Sequence, residues 1–83
     1  MTETNDERFA AMDIKTLTVV RFPAGDWSGG GRPSDPDYAQ CEVYLIQAES
    51  FEKAKKKAQS VRASLVKKGL SLPSQTTPYI HHQ

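Results

Sequence analysis

The run SFEKAKKKAQSVRASLVKKG, residues 50–69, decides the fold of this chain. Phe51, Ala54, Ala58, Val61 and Leu65 recur at three- and four-residue steps. Such spacing draws one narrow apolar stripe along an amphipathic helix. Ser50 supplies an N-cap oxygen for an otherwise unpaired backbone N–H, and Glu52 sits where the helix dipole favours an anion. At the far end Lys67 and Lys68 occupy the last turn, where cations help, and Gly69 takes the C′ position. Leu65 is then C3 and Leu70 C″, the pair that meets in a Schellman ending. One helix over 50–68 is predicted, with both ends defined by local chemistry.

Working toward the N-terminus, residues 39–48 (AQCEVYLIQA) alternate Cys41, Val43, Leu45 and Gln47 with Glu42, Tyr44, Ile46 and Ala48, a strand pattern. Residues 13–22 (DIKTLTVVRF) are rich in β-branched side chains and predict a second strand. Pro23 ends it, having no N–H for a sheet ladder. The segment 23–37 (PAGDWSGGGRPSDPD) holds four of the five glycines and three of the five prolines and reads as a loop. A helix-free connection pairs the two strands antiparallel. Beyond the helix, Thr76–His82 forms either an edge strand, where Pro78 is tolerated, or a tail. The expected fold is therefore α+β, a small antiparallel sheet of two or three strands with one long helix on one face. Its order is β-β-α, or β-β-α-β with the edge strand. Residues 1–12 are expected to be a flexible segment able to dock through Phe9 and Met12, outside a single domain spanning 13–83.

Both strands carry apolar residues on both faces. Ile14, Val20 and Phe22 oppose Leu17 and Val19 in one strand; Cys41, Val43 and Leu45 oppose Tyr44 and Ile46 in the other. A half-solvated sheet alternates more cleanly. One helix covers one face, so the second needs cover from the N-terminal segment, the C-terminal segment or another subunit. Self-association into a homodimer through that second face, with Leu17 and Val19 on it, is the expected arrangement.

Eighty-three residues make one domain, and a chain so short is marginal without a staple or a partner. Cys41 is the single cysteine, which excludes an internal disulfide and fits a reducing compartment. No apolar run approaches a membrane span. The start, Met1 to Arg8, is acidic and polar, opposite to a secretory leader. A cytoplasmic location is expected.

Charge is divided along the chain. Residues 1–52 carry all ten carboxylates and four basic side chains, leaving −6; residues 53–83 carry seven basic side chains and no acid, hence +7. Lys53, Lys56, Lys57, Lys67 and Lys68 fall within about 120° of helical arc, away from the apolar stripe. They form either a phosphate-tracking surface for nucleic acid or a solvated face that keeps the chain soluble. No aromatic residue interleaves with them, and the pI of about 7.9 is below that of a typical nucleic-acid domain. Arg62 falls near the stripe instead. Its stem either lies along the sheet with its head in water, or its guanidinium pairs with Glu42, Asp13 or a partner's carboxylate.

Trp27 and Arg32 lie in the glycine-rich segment, where nothing in the local pattern buries them. Such residues anchor protein interfaces, although a single Trp also serves to cap a small core. Gly29-Gly30-Gly31 has no Gly-Lys-Ser/Thr after it and opens no helix, so it is a flexible linker and not a phosphate cradle. Ser28 lacks the spacing of a nucleophile elbow, with Asp26 at the first glycine position. His81 and His82 are adjacent and would point to opposite faces of a strand, which argues against a metal site. Cys41 on a strand reads as a small buried hydrophobe. With no catalytic residues, no cofactor and no metal indicated, the chain is expected not to be an enzyme.

The run Tyr44-Leu45-Ile46-Gln47-Ala48-Glu49-Ser50-Phe51-Glu52-Lys53-Ala54-Lys55 resembles a strand-to-helix junction of very small phage- and plasmid-encoded proteins. Some anti-CRISPR proteins are similar in this stretch and in being short, single-helix α+β inhibitors. The likeness covers about a dozen residues and carries over no functional residue; it implies a phage-type binding protein. The leading expectation is a non-enzymatic protein-binding module, an inhibitor or regulator, acting through Trp27, Arg32, Leu17 and Val19. The alternative is a nucleic-acid-binding protein using Lys53, Lys56, Lys57, Lys67 and Lys68.

Overall fold

Four strands and one long helix make up the chain in a computed structural model that describes residues 14–81. In order they are β1 (Lys15–Arg21), β2 (Trp27–Gly29), a 3-10 turn (Pro36–Tyr38), β3 (Glu42–Ala48), α1 (Phe51–Lys68) and β4 (Tyr79–Ile80). The fold is α+β with the helix packed against a sheet, as the sequence predicts. The sheet is wider than expected, with order β2-β1-β3-β4. It is also mixed. β1 pairs antiparallel with β2 and β3, whereas β4 runs parallel to β3. The helix returns the chain to the end from which β3 set out, so a strand added there points the same way. The expectation for residues 1–12 lies outside the described residues.

The segment 23–37 is not wholly a loop. Trp27, Ser28 and Gly29 pair with Arg21, Val20 and Val19 as a short hairpin arm. Gly29 explains why the glycines are there. A Cβ at this position would lie 2.1 Å from the Thr18 carbonyl oxygen and 2.7 Å from Cε1 of Phe51. Only a residue without a side chain lets β2 approach both β1 and the first turn of the helix. Gly31 is similarly tight, its added Cβ falling 2.8 Å from the Tyr38 hydroxyl. The flexible-linker reading of Gly29-Gly30-Gly31 is corrected at Gly29 and Gly31 on these contacts, whereas an added Cβ at Gly30 would meet nothing within 4 Å and only its φ of 93° favours glycine.

Both helix ends form as the sequence predicts. Ser50 Oγ accepts the Lys53 N–H at 3.3 Å. Gly69 is left-handed at φ 73°, and the N–H groups of Gly69 and Leu70 reach the carbonyls of Val66 and Leu65. That is the paired hydrogen bonding of a Schellman ending. Leu70 itself remains 55 % exposed.

The core sits between α1 and one sheet face. Val19, Tyr44, Ile46, Ala48, Ala54 and Ala58 are buried together, with Leu17, Trp27, Phe51, Val61 and Tyr79 packed around them. Two alanines at the contact let the helix lie close on the strands. Here the face assignment changes. Leu17 and Val19 lie beneath the helix, and Val19 is completely buried, so neither belongs to an uncovered second face. Periodicity separates the two faces of a strand but does not say which one the helix takes. On the other face Val20 and Val43 are buried with Tyr38 and Cys41, and Phe22 and Leu45 pack against them. The 3-10 turn covers that end, stabilised by the Asp35 carboxylate accepting the Asp37 N–H at 2.9 Å. Further along, Thr16 is exposed and Ile80 is 55 % exposed.

Candidate protein-interaction surface

The polar chemistry of the molecule converges on Glu42, at the start of β3. Its Oε1 accepts from the Tyr44 hydroxyl at 2.6 Å and from Arg62 Nε at 2.9 Å, while Oε2 lies 3.5 Å from Arg21 Nη1. Strand register dictates part of this. Arg21 is the cross-strand partner of Glu42, and Tyr44 follows two residues on, so all three share the helix-side face. The helix then brings Arg62 over the same spot. Arg62 therefore takes the pairing alternative with Glu42. Burial pushes the Tyr44 phenol above its ordinary range, and the bond to Glu42 adds to the effect.

Trp27 is not an exposed loop residue. It lies on β2 opposite Arg21, half-buried, with its ring 5.6 Å from that of Tyr44. Tyr44 in turn lies 6.2 Å from Tyr79 of β4, giving an aromatic row across the sheet. The structure thus brings Trp27, Leu17 and Val19 into one core and leaves Arg32 exposed apart from them.

Sequence reasoning missed a groove at the end of the helix. Past Gly69 the chain turns back along the last turn of α1. Leu65, Ser71, Leu72, Pro73, Thr77, Pro78 and Tyr79 line a groove of about 280 Å³ between them. Gln75 anchors this returning segment, donating to the carbonyls of Asp35 at 2.7 Å and Pro33 at 3.0 Å. Ser74 closes a small turn by accepting the Thr77 N–H at 3.2 Å. Val66 and Leu70, next to Leu65 in this helix ending, are 53 % and 55 % exposed. These two and Ile80 are the large exposed hydrophobic residues among those described. The signal was present in the sequence: Val66 lies off the apolar stripe, and Leu-Ser-Leu-Pro follows the cap without a strand to hold it.

The lysine face is less uniform than its arc implies. Lys53 is paired with Glu49, and Lys57 donates to the Gln47 carbonyl at 3.1 Å from the flank of the helix. The hydrogen bond from Lys53 holds the Glu49 carboxyl below its usual range. Lys56, Lys67 and Lys68 are exposed with no ion-pair partner among the described residues. Two of those three sit at the groove end of the helix.

Cys41 is buried, its thiol pKa raised by that burial. No group of three or more His, Cys, Asp and Glu side chains among the described residues has the arrangement to hold a metal ion. No helix among them is long and apolar enough to cross a membrane. His82 lies outside the described residues. The chain matches no protein-family model, no curated protein and no solved structure.

Proposed function

We propose that this chain is a small protein-binding module, and that it binds through the groove at the C-terminal end of α1 together with Val66 and Leu70. The observation that carries the reading is the exposure of these two side chains, which adjoin the groove residues Leu65 and Ser71 along the chain. Large apolar residues left accessible in a cluster, with a polar rim, mark interaction surfaces. Lys67 and Lys68 follow Leu65 and Val66 in the last turn of the helix, and no Asp or Glu side chain occurs from residue 53 onward. The fitting partner is a protein segment with apolar side chains flanked by Asp or Glu. An inhibitor or regulator works in this way, by occupying a partner's surface without chemistry of its own.

A random-peptide display library tests the reading. Enrichment of acidic, apolar peptides by the native chain, lost with Val66→Glu/Leu70→Glu, supports it. Equal enrichment by both proteins contradicts it. Nucleic-acid binding is the competing reading, and internal pairing of Lys53 and Lys57 weighs against it. It predicts retention on a DNA or RNA column that falls steeply with salt and is lost with Lys53→Glu/Lys56→Glu/Lys57→Glu.

A further inference from the structure

We infer that Arg21 and Arg62 form a second binding site, separate from the groove, for a small oxyanion with the chemistry of a carboxylate or phosphate. The inference begins with charge. Two guanidinium groups bracket a single carboxylate, Glu42, and no second carboxylate among the described residues pairs with either. Among the described residues one positive charge is left over. Tyr44 also donates to Glu42, so the carboxylate is well satisfied before the second guanidinium is counted.

Donor geometry carries the argument further. Each guanidinium offers five N–H donors in a planar fork. Arg62 directs Nε at Glu42 and Arg21 directs Nη1. Nδ1 of His81 is the buried side-chain polar atom left without a partner among the described residues. No remaining nitrogen of either arginine is buried without a partner among the described residues. The side chains are only 25 % and 27 % exposed, which places those donors at a partly desolvated rim. Attraction between charges is stronger there than in open water. Glu42 also holds both forks in place, reducing what an incoming anion must order. Fork geometry matches two-oxygen ligands, the basis of bidentate arginine recognition. Trp27, directly across from Arg21 on β2, is the only tryptophan and lies close enough to report on the site.

The test is a titration of the folded full chain at low ionic strength with sodium acetate, sodium phosphate and, as a control, sodium chloride at matched ionic strength. The Nε–H resonances of Arg21 and Arg62 and the Trp27 fluorescence are followed together. Saturable shifts with acetate alone identify a carboxylate site; saturation with phosphate identifies a site for the wider oxyanion class. Arg21→Gln is expected to weaken binding about tenfold, the loss typical of one charge-assisted hydrogen bond. Arg21→Lys, which keeps the charge without the fork, serves if the glutamine variant does not fold, and is also expected to bind more weakly. Linear shifts indistinguishable from those in chloride would overturn the inference. So would native affinity in a folded Arg21 variant.

Discussion

Arg62 of α1 donates its Nε–H to Oε1 of Glu42 on β3 at 2.9 Å, fastening the helix to the sheet across 20 residues of chain. Apolar packing through Ala54 and Ala58 decides that the helix lies on the sheet. The arginine pair restricts where along its length it is held. Glu42 is the shared acceptor, so its loss affects Arg21, Arg62 and Tyr44 at once.

Glu42→Ala is accordingly expected to cost about 2–3 kcal/mol, since it leaves two partly buried guanidiniums facing each other without an anion. Urea denaturation with an unchanged slope checks it. Glu49→Ala breaks only an exposed pair with Lys53 and is expected to leave the denaturation midpoint almost unchanged.

Gly29→Ala is expected to detach β2. The new methyl meets the Thr18 carbonyl, a backbone atom that cannot rotate away. A loss of about 2 kcal/mol or more is expected, typical of overpacking. Thermal melting measures the loss, and Trp27 fluorescence reports whether the arm has left Tyr44.

Ser50→Ala is expected to destabilise the chain by about 1 kcal/mol through loss of the N-cap. Gly69→Ala acts at the other end, placing a Cβ on a left-handed residue, and is expected to cost about 1 kcal/mol. Helical circular dichroism should persist in both variants, with lower midpoints.

The pH dependence has an alkaline limb. An unfolded phenol ionises near 10.0, whereas Tyr44 in the folded chain holds its proton to higher pH. Above about pH 10 the folded state therefore binds more protons than the unfolded one, and stability falls as pH rises. Below that point the contribution is complete. Tyr44→Phe should flatten this limb, at the cost of about 1 kcal/mol for the lost hydrogen bond. Phenolate absorbance and denaturation midpoints against pH check both halves.

The helix was legible to the residue because its determinants are local: Ser50, Gly69 and the stripe between them state its ends and its buried side. The pairing of β1 with β3 was legible because two strand-patterned runs are joined by a connection without a helix. β2 was not, because Trp-Ser-Gly is too short to show alternation, and Gly29 reads as flexibility until Thr18 and Phe51 are seen beside it. β4 is two residues long and exists through β3 alone. Which sheet face the helix covers was undetermined, since Val19 and Val20 are equally apolar neighbours. That ambiguity moved Leu17 and Val19 from a proposed surface into the core. The groove depends on where the chain goes after Gly69, which Pro73 and Pro78 constrain but do not specify.

The central claim is that the groove at the end of α1 is the protein-binding surface. Chemical-shift mapping of the isotopically labelled chain with an acidic, apolar peptide enriched from a display library tests it most directly. The account predicts that the amides of Leu65, Leu70, Leu72 and Tyr79 shift together and saturate, and that Val66→Glu/Leu70→Glu abolishes the response. Shifts confined to Lys53, Lys56 and Lys57, or the absence of any enriched peptide, would contradict it.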